Sequence, residues 1–490
     1  MSSTAVKKKS IMPESSPFDN DESDPRLETT IAAVNWNAVA SIACRLLEVS
    51  DSSWGDQLCG GYNVVRFLHM GDKDSSTEVV VRVPYQPEEG WNAENSELIA
   101  SRISSEVATM QYLSAHTSIP VPRIIHHSVD LDSNGVGSPY IIMTKVDGVV
   151  LSSIWDDMED SKREIVLRQV VDILLELASQ RFDKIGMLFQ QENPTDPKNA
   201  WYIMPYIGPP DEITVLSLSK TFTSVTDYWL AYANTQLKSI YDARFGDDTK
   251  IYEYSQTWIM RSLIPALYDP TLDISGFPLS PVDFHSQNIM IVDADTSPRI
   301  SAVIDWEFSR THGTSTFAQY PFFIVDHPLW DDDNPIRERN IRDQATFNSL
   351  MHEAEKKKDP SGDLPISRAY ERCLGVYLFE QCISSQIMAS VLYPQLFAHI
   401  YGEDGEDVFS MEYSTALTEK GFLKKMDQQF VAETEVWQEV FEMLGEELVS
   451  RDMSRTEFRI LVEKHVDRFP EGGLVRDWLE AKPEVYSPYG

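Results

Sequence analysis

Basic residues are in short supply: 42 Lys and Arg stand against 77 Asp and Glu, for a formal net charge of −35 over 490 residues. Such a chain repels nucleic acid and anionic membranes, so polynucleotide binding would need a local basic patch. The only short basic runs, Lys7-Lys8-Lys9 and Lys356-Lys357-Lys358, read as solvated charge. No stretch approaches the roughly 18 apolar residues of a membrane span. The four cysteines, Cys44, Cys59, Cys373 and Cys382, show neither CxxC nor metal-ligand spacing, which suits free thiols in a reducing compartment. There is no internal repeat. The first 27 residues are polar, lack an apolar h-region and carry an acidic run from Asp19 to Asp24, so a disordered tail is expected, in a cytoplasmic rather than a mitochondrial protein.

What the chain does have is FPLSPVDFHSQNIMIVDADTSPRISAVIDWEFSRTHG, Phe277 to Gly313. It reads as strand, loop, strand, turn, strand. Asp283 and Asn288 share the first loop, and Asp305 follows the apolar run Ile300 to Ile304, so three oxygen-bearing side chains can converge at one mouth. Phosphoryl transfer needs that kind of set, because the transferring group demands positioning and charge neutralisation more than covalent help. Mg²⁺ prefers oxygen ligands and keeps waters, so Asn288 and Asp305 with nucleotide phosphates would suffice to hold it. Asp283 would then be left to orient an acceptor hydroxyl and take its proton.

DFHSQNIMIVD followed by VIDWEFS resembles the aminoglycoside phosphotransferase and choline-kinase-like family of protein-kinase-like small-molecule kinases. The resemblance implies an α+β, two-lobed protein-kinase-like fold, with a small β-rich N-lobe (28–147) and a large, mostly helical C-lobe (148–490). It also implies ATP or GTP as phosphoryl donor with Mg²⁺. One departure is Pro281, which stands where the family usually places a His two residues before the catalytic Asp.

In the N-lobe, Thr29 to Leu47 has the spacing of one amphipathic helix. Two β-rich runs then flank Gly71-Asp72-Lys73-Asp74, a hairpin signal. Gly60-Gly61-Tyr62-Asn63 resembles the family's glycine-then-Asn turn, where backbone amides can approach phosphate. Arg82 occupies the place of the kinase strand lysine, and Arg82-Val83-Pro84 resembles the Arg-x-Pro run of fungal-type members. Its expected carboxylate partner is Glu106, with Glu97 second, because Ile103, Val107, Met110 and Leu113 mark a helix face. Ile119-Pro120-Val121-Pro122 forces extended chain. Tyr140 to Met143 leads to Lys145 and Gly148, where related kinases hinge and hold adenine; Met143 and Lys145 are candidates to flank the ring.

Beyond Gly148 the pattern is helical, from Ile165 to Leu177, near Ser224–Ala243 and Tyr252–Leu267, and from about Arg337 to Leu479, with a Pro- and Gly-rich loop at Asn193 to Asp211. Two functions follow. The first is an ATP- or GTP-dependent O-phosphotransferase acting on a small hydroxylated molecule, the negative chain suiting cationic acceptors such as amino-sugars or amino-alcohols. The second is a catalytically silent kinase-like binding protein, which Pro281 and Arg82 favour. A protein kinase fits less well, since no Ala-Pro-Glu segment follows Asp305 and Asp-Trp-Glu replaces Asp-Phe-Gly. Trp306 and Trp330 could cage a cationic acceptor, but such rings are more often core.

Overall fold

Alternating Val, Phe and Leu in NVVRFLHM and TEVVVRVP give each segment one face to bury, and the two pair as an antiparallel hairpin, β2 (Asn63–Met70) with β3 (Thr77–Pro84). The computed structural model describes residues 25–71, 77–131, 135–191, 200–208, 220–326, 330, 333–359, 364–402 and 421–481. Asp72 to Asp74 of the expected turn, and residues 1–24 of the expected tail, lie outside these. The chain is α+β, and its contacts divide it into two units, one ending at Val107 and resuming over Pro122–Lys145, the other comprising Ala108–Val121 and the chain from Val146.

In the first unit a five-stranded antiparallel sheet has the order β1-β2-β3-β5-β4, with β1 Ser52–Cys59, β4 Ile124–Ser128 and β5 Tyr140–Thr144. Strand β1 was not expected: SSWGDQLC has no β-branched residue. Its place is secured instead by tertiary contact, Trp54 meeting Trp36 edge-on at 5.4 Å and the Arg66 guanidinium at 4.6 Å. The single helix expected over Thr29 to Leu47 is two, α1 (Pro25–Ala33) and α2 (Trp36–Leu47), bent by 60°. Asn35 causes the break, since its side chain accepts the Ala38 amide and caps a fresh helix. Val34, Val39 and Ala43 then bury against Leu68, Val79, Val81 and Tyr140. Helix α3 (Ala93–His116) carries Glu106, and the division between the units falls within it.

The second unit is mostly helical. Val149–Val150 form the short strand β6, and α4 (Asp160–Ser179) buries Val166, Val170, Ile173, Leu174 and Leu177. After β7 (Arg181–Phe182) comes β8 (Met187–Gln190), paired with β9 (Trp201–Met204), a strand within the loop expected over Asn193 to Asp211, of which residues 193–199 and 209–211 lie outside the described residues. Helices α5 (Val225–Asp242) and α6 (Lys250–Leu267) follow, and four short strands then carry the conspicuous segment: β10 (Phe277–Ser280), β11 (Ile289–Val292), β12 (Arg299–Val303) and β13 (Arg310–Thr311). The remainder is α7 (Thr314–Phe317), α8 (Pro335–Lys358), α9 (Pro365–Glu371), α10 (Cys373–Ser384), α11 (Gln386–Tyr401), α12 (Phe422–Leu444), α13 (Arg455–Lys464) and α14 (Leu474–Glu480). Tyr228, Trp229, Phe379, Leu392 and Phe397 belong to one of its apolar clusters. Among the described residues, no single helix is long and apolar enough to cross a membrane.

Candidate active site

In the first unit, the Arg82 guanidinium donates to Glu106 Oε1 at 2.5 Å, and both side chains are buried, while Glu97 is exposed. Pairing β3 with α3 in this way takes two charges out of water together; losing either would leave the other buried without its counter-charge, the costly case. Gly60 and Gly61 sit in the turn between β1 and β2, closed by the Gly60 amide on the Asn63 carbonyl at 2.9 Å. Neither glycine has a left-handed φ, and a Cβ on Gly61 would meet open space, so the turn does not itself demand glycine. Tyr62 lies under the Arg102 guanidinium at 5.4 Å, and Asn63 is buried at the start of β2. Met143 is buried in β5. Lys145, just past it, pairs with Glu78, which also holds His69 Nδ1 at 2.9 Å.

In the second unit, β10 leads into the loop that carries Asp283, and its pairing with β7 on one side and β13 on the other fixes where that loop begins. Each Asp283 oxygen is held by a neighbour on the loop. His285 Nε2 stands 3.0 Å from Oδ1, and Asn288 Nδ2 donates to Oδ2 at 3.0 Å and to the Asp283 carbonyl at 3.0 Å. The imidazole tautomer follows, because His285 Nδ1 accepts the Gln287 amide at 3.1 Å, which leaves the proton on Nε2, pointed at the carboxylate. Burial alone would raise the Asp283 carboxyl; the His285 Nε2 bond and the Asn288 amide outweigh it and hold it below the usual range. Asp283 therefore stays ionised.

A carboxylate only accepts, so the Asn288 atom facing it must be the amide nitrogen. Asn288 Oδ1 points elsewhere and accepts no hydrogen bond among the described residues. Asn288 immediately precedes β11, and Asp305 lies just beyond β12; as the two strands pair antiparallel, with Ile289 opposite Val303, both residues emerge at the same end of the hairpin. The Ile304 amide on the Asn288 carbonyl, 2.8 Å, ties them. Asp305 is exposed and adopts a left-handed φ of 60°, a conformation that Asp and Asn tolerate better than most residues. Two oxygens of this type suit Mg²⁺ completed by phosphate and water. Among the described residues, no three His, Cys, Asp or Glu gather as a metal cage. Trp306 is core, 1% exposed, its indole N–H given to the Val303 carbonyl.

The hairpin also rests on Gly148, whose φ is +122°, since a Cβ there would come within 2.5 Å of the Ile291 carbonyl oxygen. Sequence reading gave no role to His285, nor to Glu380 in α10. Glu380 Oε1 takes the Tyr268 hydroxyl at 2.9 Å and the Thr316 hydroxyl at 2.7 Å, which braces α7 just after β13. Burial pushes the Glu380 carboxyl from 4.5 up to about 7, against the pull of the Thr316 and Tyr268 bonds and of Arg310. Between those values the folded chain holds a proton that the unfolded chain has lost, so this stability is full below pH 4.5 and is lost as pH rises through 7. Glu380→Gln should therefore flatten the fall in melting temperature across that window and raise stability above it. An unchanged slope in the variant would contradict this.

The sequence pattern of the phosphotransferase enzyme family, APH, matches residues 64–214. That segment contains Arg82, Glu106, Met143 and Lys145 and ends before Asp283. A protein of Zygosaccharomyces rouxii named "Altered inheritance of mitochondria protein 9, mitochondrial" is 30% identical over 142 residues, 27% of this chain and 22% of its own length. The "Clavilactone A biosynthesis cluster protein Y" of Ampulloclitocybe clavipes is 29% identical over 248 residues, 48% of this chain and 56% of its own. The chain thus spans between about a fifth and just over half of the length of these relatives. Among solved structures, an aminoglycoside phosphotransferase-like protein of Ralstonia eutropha is 16% identical with a TM-score of 0.41, covering 78% of this chain and 98% of its own. A choline kinase of Cryptosporidium parvum is 13% identical with a TM-score of 0.38, covering 82% and 99%. Residues 64–214 of this chain thus match the pattern of the phosphotransferase enzyme family, and parts of the chain are similar to fungal proteins.

Proposed function

We propose that the chain is an O-phosphotransferase that uses ATP or GTP to phosphorylate a hydroxyl of a small molecule. The observation that carries this reading is the Asp283 carboxylate, kept ionised and oriented by His285 Nε2 and Asn288 Nδ2 on its own loop. A weakly basic carboxylate suits such a role, because in a loose transfer the hydroxyl loses its proton late, and orientation matters more than deprotonation. Asn288 Oδ1 and Asp305 would hold Mg²⁺, which when bound supplies neutralisation of the phosphate charge. Arg82, fixed by Glu106, stands in for the strand lysine, and its forked guanidinium suits phosphate, although its reach differs from that of lysine.

The loss of a His at Pro281 favours the silent binding reading only if nothing else holds the loop. His285 and Asn288 hold it. Cytoplasm remains the proposed location, and imaging of a carboxy-terminally tagged chain would decide between it and the mitochondrion. The functional test is transfer of labelled γ-phosphate from MgATP or MgGTP to a panel of polyols, amino-alcohols, amino-sugars and hydroxy acids. Label on one acceptor class is the expected result. Nucleotide binding without transfer to any acceptor would turn the reading to a silent binding protein.

A further inference from the structure

Given the phosphotransferase reading above, on which this rests, we infer that Glu380 and Arg310 read the acceptor and select a neutral polyhydroxylated molecule, a sugar or polyol, over a cationic one. Glu380 Oε1 is used within the protein: it takes the Tyr268 and Thr316 hydroxyls at 2.9 and 2.7 Å, and the Trp229 indole N–H in turn holds the Thr316 oxygen at 3.4 Å. The other oxygen, Oε2, accepts no hydrogen bond among the described residues and is not sealed from solvent, the side chain being partly exposed. A carboxylate braced through one oxygen and open at the other is preset to hydrogen-bond a ligand.

Arg310 lies within electrostatic reach of that carboxylate. Its side chain is partly exposed, with the guanidinium 4.5 Å over the Tyr206 ring and 3.5 Å from the Tyr228 hydroxyl, contacts that fix where its charge sits. Strand register brings it towards the chemistry, since Arg310 in β13 stands opposite Ser280 in β10, and the chain runs from Ser280 into the Asp283 loop. An anion beside a cation suits a hydroxyl, which donates to the one and accepts from the other. An ammonium seated on Glu380 would instead meet the like charge of Arg310. Protonation adds to the bias. Burial pushes the Glu380 carboxyl up to about 7, so near neutrality it is part acid and part carboxylate. Either form hydrogen-bonds a hydroxyl, whereas only the carboxylate anchors an ammonium.

The test titrates the full chain at neutral pH, without nucleotide, with D-glucose against D-glucosamine and D-glucitol against D-glucamine, read by calorimetry. The neutral member of a pair should bind the more tightly. Glu380→Leu should weaken it about tenfold or more, the scale of one lost hydrogen bond, and Glu380→Gln, which keeps a polar head of the same shape, should restore most of that loss. Arg310→Gln should move the preference towards the amine. Tighter binding of the amine by wild type, neutral binding untouched by Glu380→Leu, a preference unmoved by Arg310→Gln, or no neutral binding at all would overturn the inference. The wild-type preference and the Arg310→Gln shift decide it even where Glu380→Leu does not fold. Binding of a neutral probe that receives no γ-phosphate from MgATP or MgGTP would fail the phosphotransferase reading and leave this selection standing, and transfer to amines alone would do the reverse.

Discussion

Asp305→Asn should remove the Mg²⁺-dependent part of nucleotide stabilisation while leaving the fold intact. Asparagine tolerates the left-handed φ of 60° at this position, so the substitution deletes charge without straining the turn. In wild type, a nucleotide at a hundred times its Kd stabilises the fold by about 2.7 kcal/mol through mass action alone. The variant should show the same melting temperature as wild type without ligand and little gain with MgATP or MgGTP. Thermal melts with and without Mg²⁺ check this. A variant that gains as much as wild type would remove Asp305 from the metal role, and one that melts much earlier without ligand would make it structural instead.

Asp283→Ala should separate binding from chemistry. Asp283 sits on the loop with Asn288 but takes the Asn288 amide nitrogen, not its oxygen, so its loss leaves Asn288 Oδ1 present for a cation. Turnover on the acceptor found by the phosphate-transfer screen should fall about 10²–10⁴-fold, the usual scale when a positioned base is lost, with nucleotide affinity nearly unchanged. Single-turnover kinetics alongside nucleotide titration check the split. Equal losses in both would mean that the substitution collapsed the loop, and no loss in turnover would take Asp283 out of the reaction.

The parts of the fold that could be read from the sequence are those where local pattern and tertiary role agree. Val79, Val81 and Val83 alternate because β3 buries one face in the core, and the apolar positions of α4 repeat because one side of that helix packs inward. The missed elements are those where a distant contact overrides local preference. Strand β1 holds its place through Trp54 against Trp36 and Arg66, and β9 through its ladder with β8 across a Pro- and Gly-rich stretch. The break between α1 and α2 was visible in principle, because Asn35 before an apolar-periodic run is a cap signal.

At the candidate site, residue types and spacing pointed to Asp283, Asn288 and Asp305, since carboxylates and an amide at those intervals carry a recognisable chemistry. How the loop is held was not legible. That depends on which nitrogen of His285 bears the proton, and only the Gln287 amide 3.1 Å from Nδ1 decides it. Likewise Glu380 lies 97 residues beyond Asp283, and nothing near it in sequence announces that Tyr268 and Thr316 will close around its carboxylate.

The central claim is that this chain binds a nucleotide through Mg²⁺ at the Asn288 and Asp305 end of the β11–β12 hairpin. Its most direct test is the melting of the wild-type chain in millimolar ATP or GTP, with Mg²⁺ and then with EDTA. A rise in melting temperature that appears with Mg²⁺ and collapses with EDTA is the predicted result. A melt unmoved by either nucleotide in the presence of Mg²⁺ would contradict the account.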